Sequence, residues 1–243
     1  MNAVEIRSLT KSFGAIKAVD GLTLDIGEGE LFALLGVNGA GKTTTIKMLS
    51  GVLRPDGGDA LIMGHSVLTE LAAAKEAMNV SPQETAVAPN LTARENLELM
   101  AGIYGADRAD ARRAAEDMEG ELGLSQVSDR RARTLSGGWQ RRLSIAMALI
   151  TRPKVLFLDE PTLGLDILAR RELWREIEKL KGGTAVILTT HYLEEAEALA
   201  DRIGVMTGGR LTAAGTAAEL KAAAGKDSFE DAFVELASGG AQV

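Results

Sequence analysis

The sequence predicts an α/β fold: a parallel sheet covered by helices, an antiparallel sheet ahead of it, and a helical segment inserted between its strands. Three observations carry this. Leu31-Phe32-Ala33-Leu34-Leu35, Val155-Leu156-Phe157-Leu158 and Ala185-Val186-Ile187-Leu188 are short unbroken apolar runs, the pattern of strands buried on both faces. Val4 and Ile6, then Leu22, Leu24 and Ile26, alternate with other residues, which marks half-exposed strands. Residues 90–150 turn charge-rich and take on a helical period instead.

Taken in order, residues 3–7 and 22–26 form the antiparallel opening, and residues 31–35 are the first buried strand. The inserted segment divides into helices over 93–104, 106–123 and 139–150. In the last of these Leu143, Ala146, Met147 and Ile150 fall at i, i+3, i+4 and i+7, one apolar stripe that must pack on something. Residues 155–158 and 185–188 return the chain to the sheet. Ile203-Gly204-Val205-Met206, Gly208-Gly209 and Leu211 read as strand, tight turn and strand. An Ala-rich stretch around 220–225 leads to an amphipathic segment with Phe229, Phe233 and Leu236, and residues 238–243 read as a loose tail.

Composition narrows the function. The 243 residues, 46% hydrophobic and 25% charged, have the usage of a folded globular chain. With no cysteine, disulfides, zinc-thiolate sites and cysteine nucleophiles are excluded, and the cytoplasm is the expected compartment. The apolar runs are far short of the roughly 20 residues that cross a bilayer, so direct membrane insertion is not expected. The opening residues have neither a basic nor an apolar region of a signal peptide. A formal charge of −7 argues against a nucleic-acid partner. Arg130, Arg131, Arg133, Arg141 and Arg142 flank one Gly-rich turn, and most of them are expected on a solvated helix face.

The strongest chemical signal is Gly36-Val37-Asn38-Gly39-Ala40-Gly41-Lys42-Thr43, which fits the phosphate-loop pattern between an apolar strand and a helix. Its glycines let backbone amides turn toward one centre, and the helix presents its positive end there. Lys42 reaches the terminal phosphates and Thr43 ligates Mg²⁺; Gly36, Asn38, Gly39, Ala40, Gly41 and Thr44 complete the expected cradle for a nucleoside triphosphate. The core is therefore of the phosphate-loop NTPase, RecA-like type. Val155-Leu156-Phe157-Leu158-Asp159-Glu160 ends a buried strand in two carboxylates, at the sheet edge where parallel α/β folds place ligands. Asp159 is expected to hold Mg²⁺ through its waters, and Glu160 to polarise the attacking water as general base.

Leu135-Ser136-Gly137-Gly138, followed by Gln140-Arg141-Arg142-Leu143, resembles the signature motif of ABC ATPases. That resemblance implies that Ser136 and the amides of Gly137 and Gly138 face the γ-phosphate held by an opposite subunit, as anion binding at a helix end. It implies further that Phe13 stacks on adenine, that Gln83 senses Mg²⁺ and the attacking water, and that Gly164-Leu165-Asp166 crosses a dimer interface. His191 matches the histidine that contacts the γ-phosphate. Taken singly these have plainer readings: Phe13 as core, Gln83 as a polar loop residue, Asp166 as a helix cap, His191 as a satisfied strand end. His65 matches no motif. The similarity extends over residues 3–220, with Trp139 and Ile167 departing from the common Gln or Met and Pro of the family pattern; the second departure puts the loop geometry at Asp166 in question.

The resemblance implies one ATPase domain. Residues 1–89 and 151–220 form the nucleotide-binding core with its β subdomain, 90–150 the helical subdomain, and 221–243 a C-terminal helix and tail. The implied function is ATP hydrolysis driving transport through a separate transmembrane permease, with a second ATPase chain of the same kind, ATP and Mg²⁺, on the inner face of the cell membrane. Soluble relatives in DNA repair carry a long coiled coil and those in translation usually two ATPase domains, and neither feature is present. A nucleotide-binding regulator would be expected to lose Glu160 or His191. His191-Tyr192-Leu193-Glu194-Glu195-Ala196-Glu197 and the segment after residue 209 are similar to the drug, sodium and polysaccharide exporter group.

Overall fold

The computed structural model describes residues 1–238; of the tail expected at 238–243, residues 239–243 lie outside the described part. The chain opens with an antiparallel hairpin, β1 (Asn2–Phe13) and β2 (Ile16–Gly27), longer on both arms than the alternation predicts. In each extra length a single apolar residue, Leu9 or Val19, is buried, too few to show as an alternation. Then follow β3 (Leu31–Leu35), α1 (Lys42–Leu49), β4 (Gly57–Ile62), β5 (His65–Ser66), α2 (Leu71–Ala77) and β6 (Met78–Ser81). The insertion holds α3 (Ala93–Ile103), α4 (Arg108–Glu121) and α5 (Gly137–Leu149), within a few residues of the expected bounds. The rest is β7 (Val155–Asp159), α6 (Ile167–Glu178), β8 (Ala185–Thr190), α7 (Leu193–Leu199), β9 (Arg202–Thr207), β10 (Arg210–Gly215), α8 (Ala217–Ala224) and α9 (Phe229–Ala237).

Two sheets result. A six-stranded sheet runs β10-β9-β3-β8-β7-β6, parallel throughout except for the β9–β10 hairpin, and a four-stranded antiparallel sheet runs β2-β1-β4-β5. The hairpin turns on Gly208 and Gly209, both at positive φ, as a two-residue turn matched to strand twist requires.

The period of two along the parallel strands divides the core. Leu31, Ala33, Leu35, Leu156, Leu158, Val186 and Leu188 pack with the insertion, α6 and α7. Their alternates Phe32, Leu34, Val155, Phe157, Ala185 and Ile187 pack with α1 and the antiparallel sheet. Continuous apolar strands are thus needed because both faces are covered. The α5 stripe is buried as expected, and Ser144, Ile145, Ala148 and Leu149 are buried too, so nearly all of this helix past its first turn lies inside.

Arg130, Arg131 and Arg133 are exposed and Arg141 is the exception among these arginines, only 5% exposed. The doubt attached to Ile167 is also resolved. Asp166 accepts hydrogen bonds from the amides of Leu168 and Ala169, both at 2.9 Å, and α6 starts as an ordinary capped helix.

Candidate functional site

Residues 36–43 leave the buried end of β3 and turn directly into α1. Gly41 stands at the helix N-cap with φ 103°, and a Cβ there would meet the carbonyl oxygen of Ala18 at 2.2 Å. Glycine is therefore required twice over, by backbone conformation and by close packing. No side chain caps α1 and no acidic residue occupies its first turn, so its free amides and positive end face the cleft.

That cleft, of about 500 Å³, is lined by Phe13, Ala18, residues 38–44, Gln83, Glu160, Leu163 and His191. Lys42 is buried beneath it, its Nζ donating to the carbonyls of Gly36 (2.7 Å) and Val37 (3.2 Å). The loop's own backbone thus fixes where that cation stands. Phe13 is 51% exposed at the rim, which removes the reading of it as a core residue.

Sheet register assembles the acids. Asp159 of β7 pairs with Thr189 of β8, and the Thr189 hydroxyl donates to Asp159 Oδ1 at 2.6 Å. Thr43 Oγ1 donates to the same oxygen at 3.1 Å. Thr43 and Asp159 bring hard oxygens together at the helix end, and among the described residues no cluster of three acidic, His or Cys side chains exists. This donor set fits Mg²⁺, which keeps waters and substrate phosphates as ligands and needs few protein atoms.

The chain turns sharply after Asp159. Glu160 has φ 47°, a conformation that costs a non-glycine residue energy, and it is held by its own amide donating to Thr189 O (3.2 Å) and Oγ1 (3.0 Å). Its carboxylate lies between the Lys42 ammonium and the His191 imidazole: Oε1 is 3.5 Å from Lys42 Nζ and Oε2 is 2.9 Å from His191 Nδ1. The His191 approach is a close contact without hydrogen-bond alignment. His191 follows β8 directly, its loop fastened by the Tyr192 amide donating to Thr190 Oγ1 at 3.0 Å.

Not every expected residue gathers here. Ser136, exposed at the N-cap of α5, makes no capping bond with its side chain. Ser136 and Gly138 line a different depression with Trp139, Arg142, Asp166, Leu168, Ala169 and Glu172. Gly137 starts the same helix. The Arg142 guanidinium lies 4.7 Å from the Trp139 ring centre. His65 is remote from both places, paired with Glu70.

Sequence reasoning missed three contributors. Thr189 is a polar residue closing an apolar run beside two acids, a pattern that could have marked it. Arg141 donates to the carbonyls of Pro82 (2.6 Å) and Gln83; its spacing from Ser144, Ile145 and Ala148 along the buried helix was the available signal. Glu195 of α7 is fully buried, accepting from Trp174 Nε1 at 2.9 Å. Burial pushes the Glu195 carboxyl pKa up, opposed by the Thr190 and Thr162 hydroxyls, the Trp174 indole and the Arg170 charge.

A family model described as ABC transporter matches residues 19–163. The chain is 44% identical over 226 residues to the daunorubicin/doxorubicin resistance ATP-binding protein DrrA of Streptomyces peucetius, covering 93% of this chain and 68% of that protein. Among solved structures, an ATP-binding subunit of an ABC transporter aligns with TM-score 0.85 at 30% identity, over 96% of this chain and 99% of that one. A dimeric post-hydrolysis state of the ATP-binding cassette MJ0796, bound to ADP and Pi, aligns with TM-score 0.78 at 26% identity, over 88% and 98%.

Proposed function

This chain belongs to the ABC transporter ATP-binding family, and from that premise we propose that it hydrolyses ATP as a nucleotide-bridged pair, energising export through a separate transmembrane subunit. The observation that carries the reading is the division of the site: Lys42, Thr43, Asp159, Glu160 and His191 line or underlie one cleft, while Ser136 and Gly138 open elsewhere. One chain supplies half of each reaction centre, and a second copy supplies the other half.

In this reading the triphosphate lies on the amides of residues 39–44, with Lys42 on its terminal charge. Phe13 stacks on the adenine. Thr43, Asp159 and Gln83 would hold Mg²⁺, which when bound neutralises charge on the β- and γ-phosphate oxygens. Glu160 accepts a proton from water as the water oxygen bonds to the γ-phosphorus; the bridging bond breaks and ADP takes the electron pair. His191, whose Nδ1 lies 2.9 Å from Glu160 Oε2, contacts the γ-phosphate. Ser136, Gly137 and Gly138 of the second copy face that phosphate from the far side.

Similarity to a drug-resistance ATP-binding protein supports export, and the compact helical insertion fits a transporter subunit and not a repair ATPase with a long coiled coil. Among the described residues no helix is long and apolar enough to cross a membrane, so membrane association at the inner face is assigned to the permease partner.

Light scattering tests the pair. Glu160→Gln should bind ATP, fail to turn over and accumulate as a dimer with MgATP, and Ser136→Arg added to it should return the protein to monomer while ATP stays bound. A Glu160→Gln chain that binds ATP yet remains monomeric at high concentration overturns the homodimeric reading.

A further inference from the structure

Arg141 is a buried cation with no carboxylate partner among the described residues. Its guanidinium donates through Nη1 to the Pro82 carbonyl (2.6 Å) and through Nη2 to the Gln83 carbonyl. Burial pushes its pKa down, with Asp159 the charge that opposes the shift. A charge kept inside at such a cost needs a reason beyond stability, since an apolar side chain of similar length would pack there at less expense in desolvation.

The segment Arg141 grips is held at its far end by backbone, the Ala132 and Arg133 amides donating to the carbonyls of Leu91 (2.8 Å) and Pro89 (3.0 Å), and at its Gln83 end by Arg141. Residues 82–91 have no regular secondary structure. Two side chains tie the segment down, and both come from the helical insertion. At its start stands Arg141 of α5; at its far end Asn96 of α3 accepts from the Ala88 amide (2.7 Å) and donates to the Ala88 carbonyl (3.2 Å). One turn further along α5, Ser144 Oγ lies 3.0 Å from Ser81 Oγ, the last residue of β6. The exposed Gln83, which lines the nucleotide cleft, is therefore fastened to the same helix that begins with Gly137 and Gly138.

We propose that Arg141 is a positioning residue for hydrolysis: its two hydrogen bonds lock the Gln83 segment to α5, so that Gln83 and the Ser136–Gly138 helix end move as one body. This rests on the catalytic role given to Gln83 above. The guanidinium suits the task because its planar fork meets two successive carbonyls at once, which an ammonium does not.

A double-mutant cycle on the purified chain separates the possibilities. Arg141→Met should leave the Kd for ATP within about twofold while lowering kcat on the order of tenfold, because Gln83 still exists but is no longer held. Arg141→Lys should recover part of kcat. Combined with Gln83→Ala, Arg141→Met should add nothing further, since both changes remove one function. A double variant slower than Gln83→Ala by the full Arg141→Met factor, or an Arg141→Met chain with wild-type kcat, overturns the proposal. Should Arg141→Met fail to fold, Arg141→Lys carries the cycle by the same criterion. If Gln83→Ala itself hydrolyses ATP at the wild-type rate, the fault lies with the role of Gln83. Normal kcat in Arg141→Met beside a crippled Gln83→Ala places it with Arg141.

Discussion

Lys42 is held by two loop carbonyls and a carboxylate, and a phosphate reaching it meets a cation already in place. Lys42→Ala should cost MgATP binding about 2 kcal/mol or more, roughly thirtyfold in Kd, readable by nucleotide titration. On the proposed reading Phe13 stacks through its ring face, so Phe13→Ala should weaken ATP and GTP alike by about 1 kcal/mol; a loss for ATP alone would require a base-specific contact instead. Glu195 gives a pH signature. Its folded pKa lies above the ordinary 4.5, so the folded chain binds that proton more tightly than the unfolded one. The stability it contributes is complete below pH 4.5 and is lost as pH rises through the folded pKa. Glu195→Gln keeps an acceptor for Trp174 and carries no charge, so it should raise the melting temperature at alkaline pH and flatten that part of the pH profile.

At the scale of elements, α3 illustrates local signals that a sequence states openly. Thr92 and Glu95 form a capping box, with the Glu95 amide donating to Thr92 Oγ1 (3.1 Å) and the Thr92 amide to Glu95 Oε2 (2.8 Å). Thr92→Ala should cost about 1 kcal/mol, a drop of roughly 2–4 °C in melting temperature by calorimetry. The buried strands β3, β7 and β8 were legible for a similar reason: every residue in them is inside, so the apolar run is unbroken. Less was readable where burial is partial. In α6 only Leu173 and Ile177 are buried, too few to impose a period on a segment rich in Arg and Glu, and the outer parts of β1 and β2 each bury one apolar residue, Leu9 and Val19. The phosphate loop, Asp159 and Glu160 could be found because their chemistry is local in sequence. For Arg141 the sequence offers only its spacing on the buried face of α5, which marks burial but not the partner, because the carbonyls it donates to lie 58 and 59 residues away.

Over the whole molecule, the insertion and the core meet beside Gln83 and Glu84, and Leu99, Ile103 and Tyr104 of the α3 end are left exposed. A short helix of the membrane subunit is expected to dock there. The chain has no cysteine of its own, so single cysteines placed in this groove should crosslink to the permease. Crosslinks found only near Phe229 and Phe233 would move the docking face to α9.

The placement of Glu160 against Lys42, 3.5 Å apart and both nearly sealed from water, makes one ammonium serve two anions. An incoming γ-phosphate would meet a cation that Glu160 already neutralises, so on the proposed reading the base is an internal competitor of its substrate. Removing the rival charge should then tighten binding. In a Ser136→Arg background, where no second chain can clamp the nucleotide, Glu160→Gln should lower the Kd for ATP by a few-fold, a gain that added salt leaves largely intact because the pair is shielded from solvent.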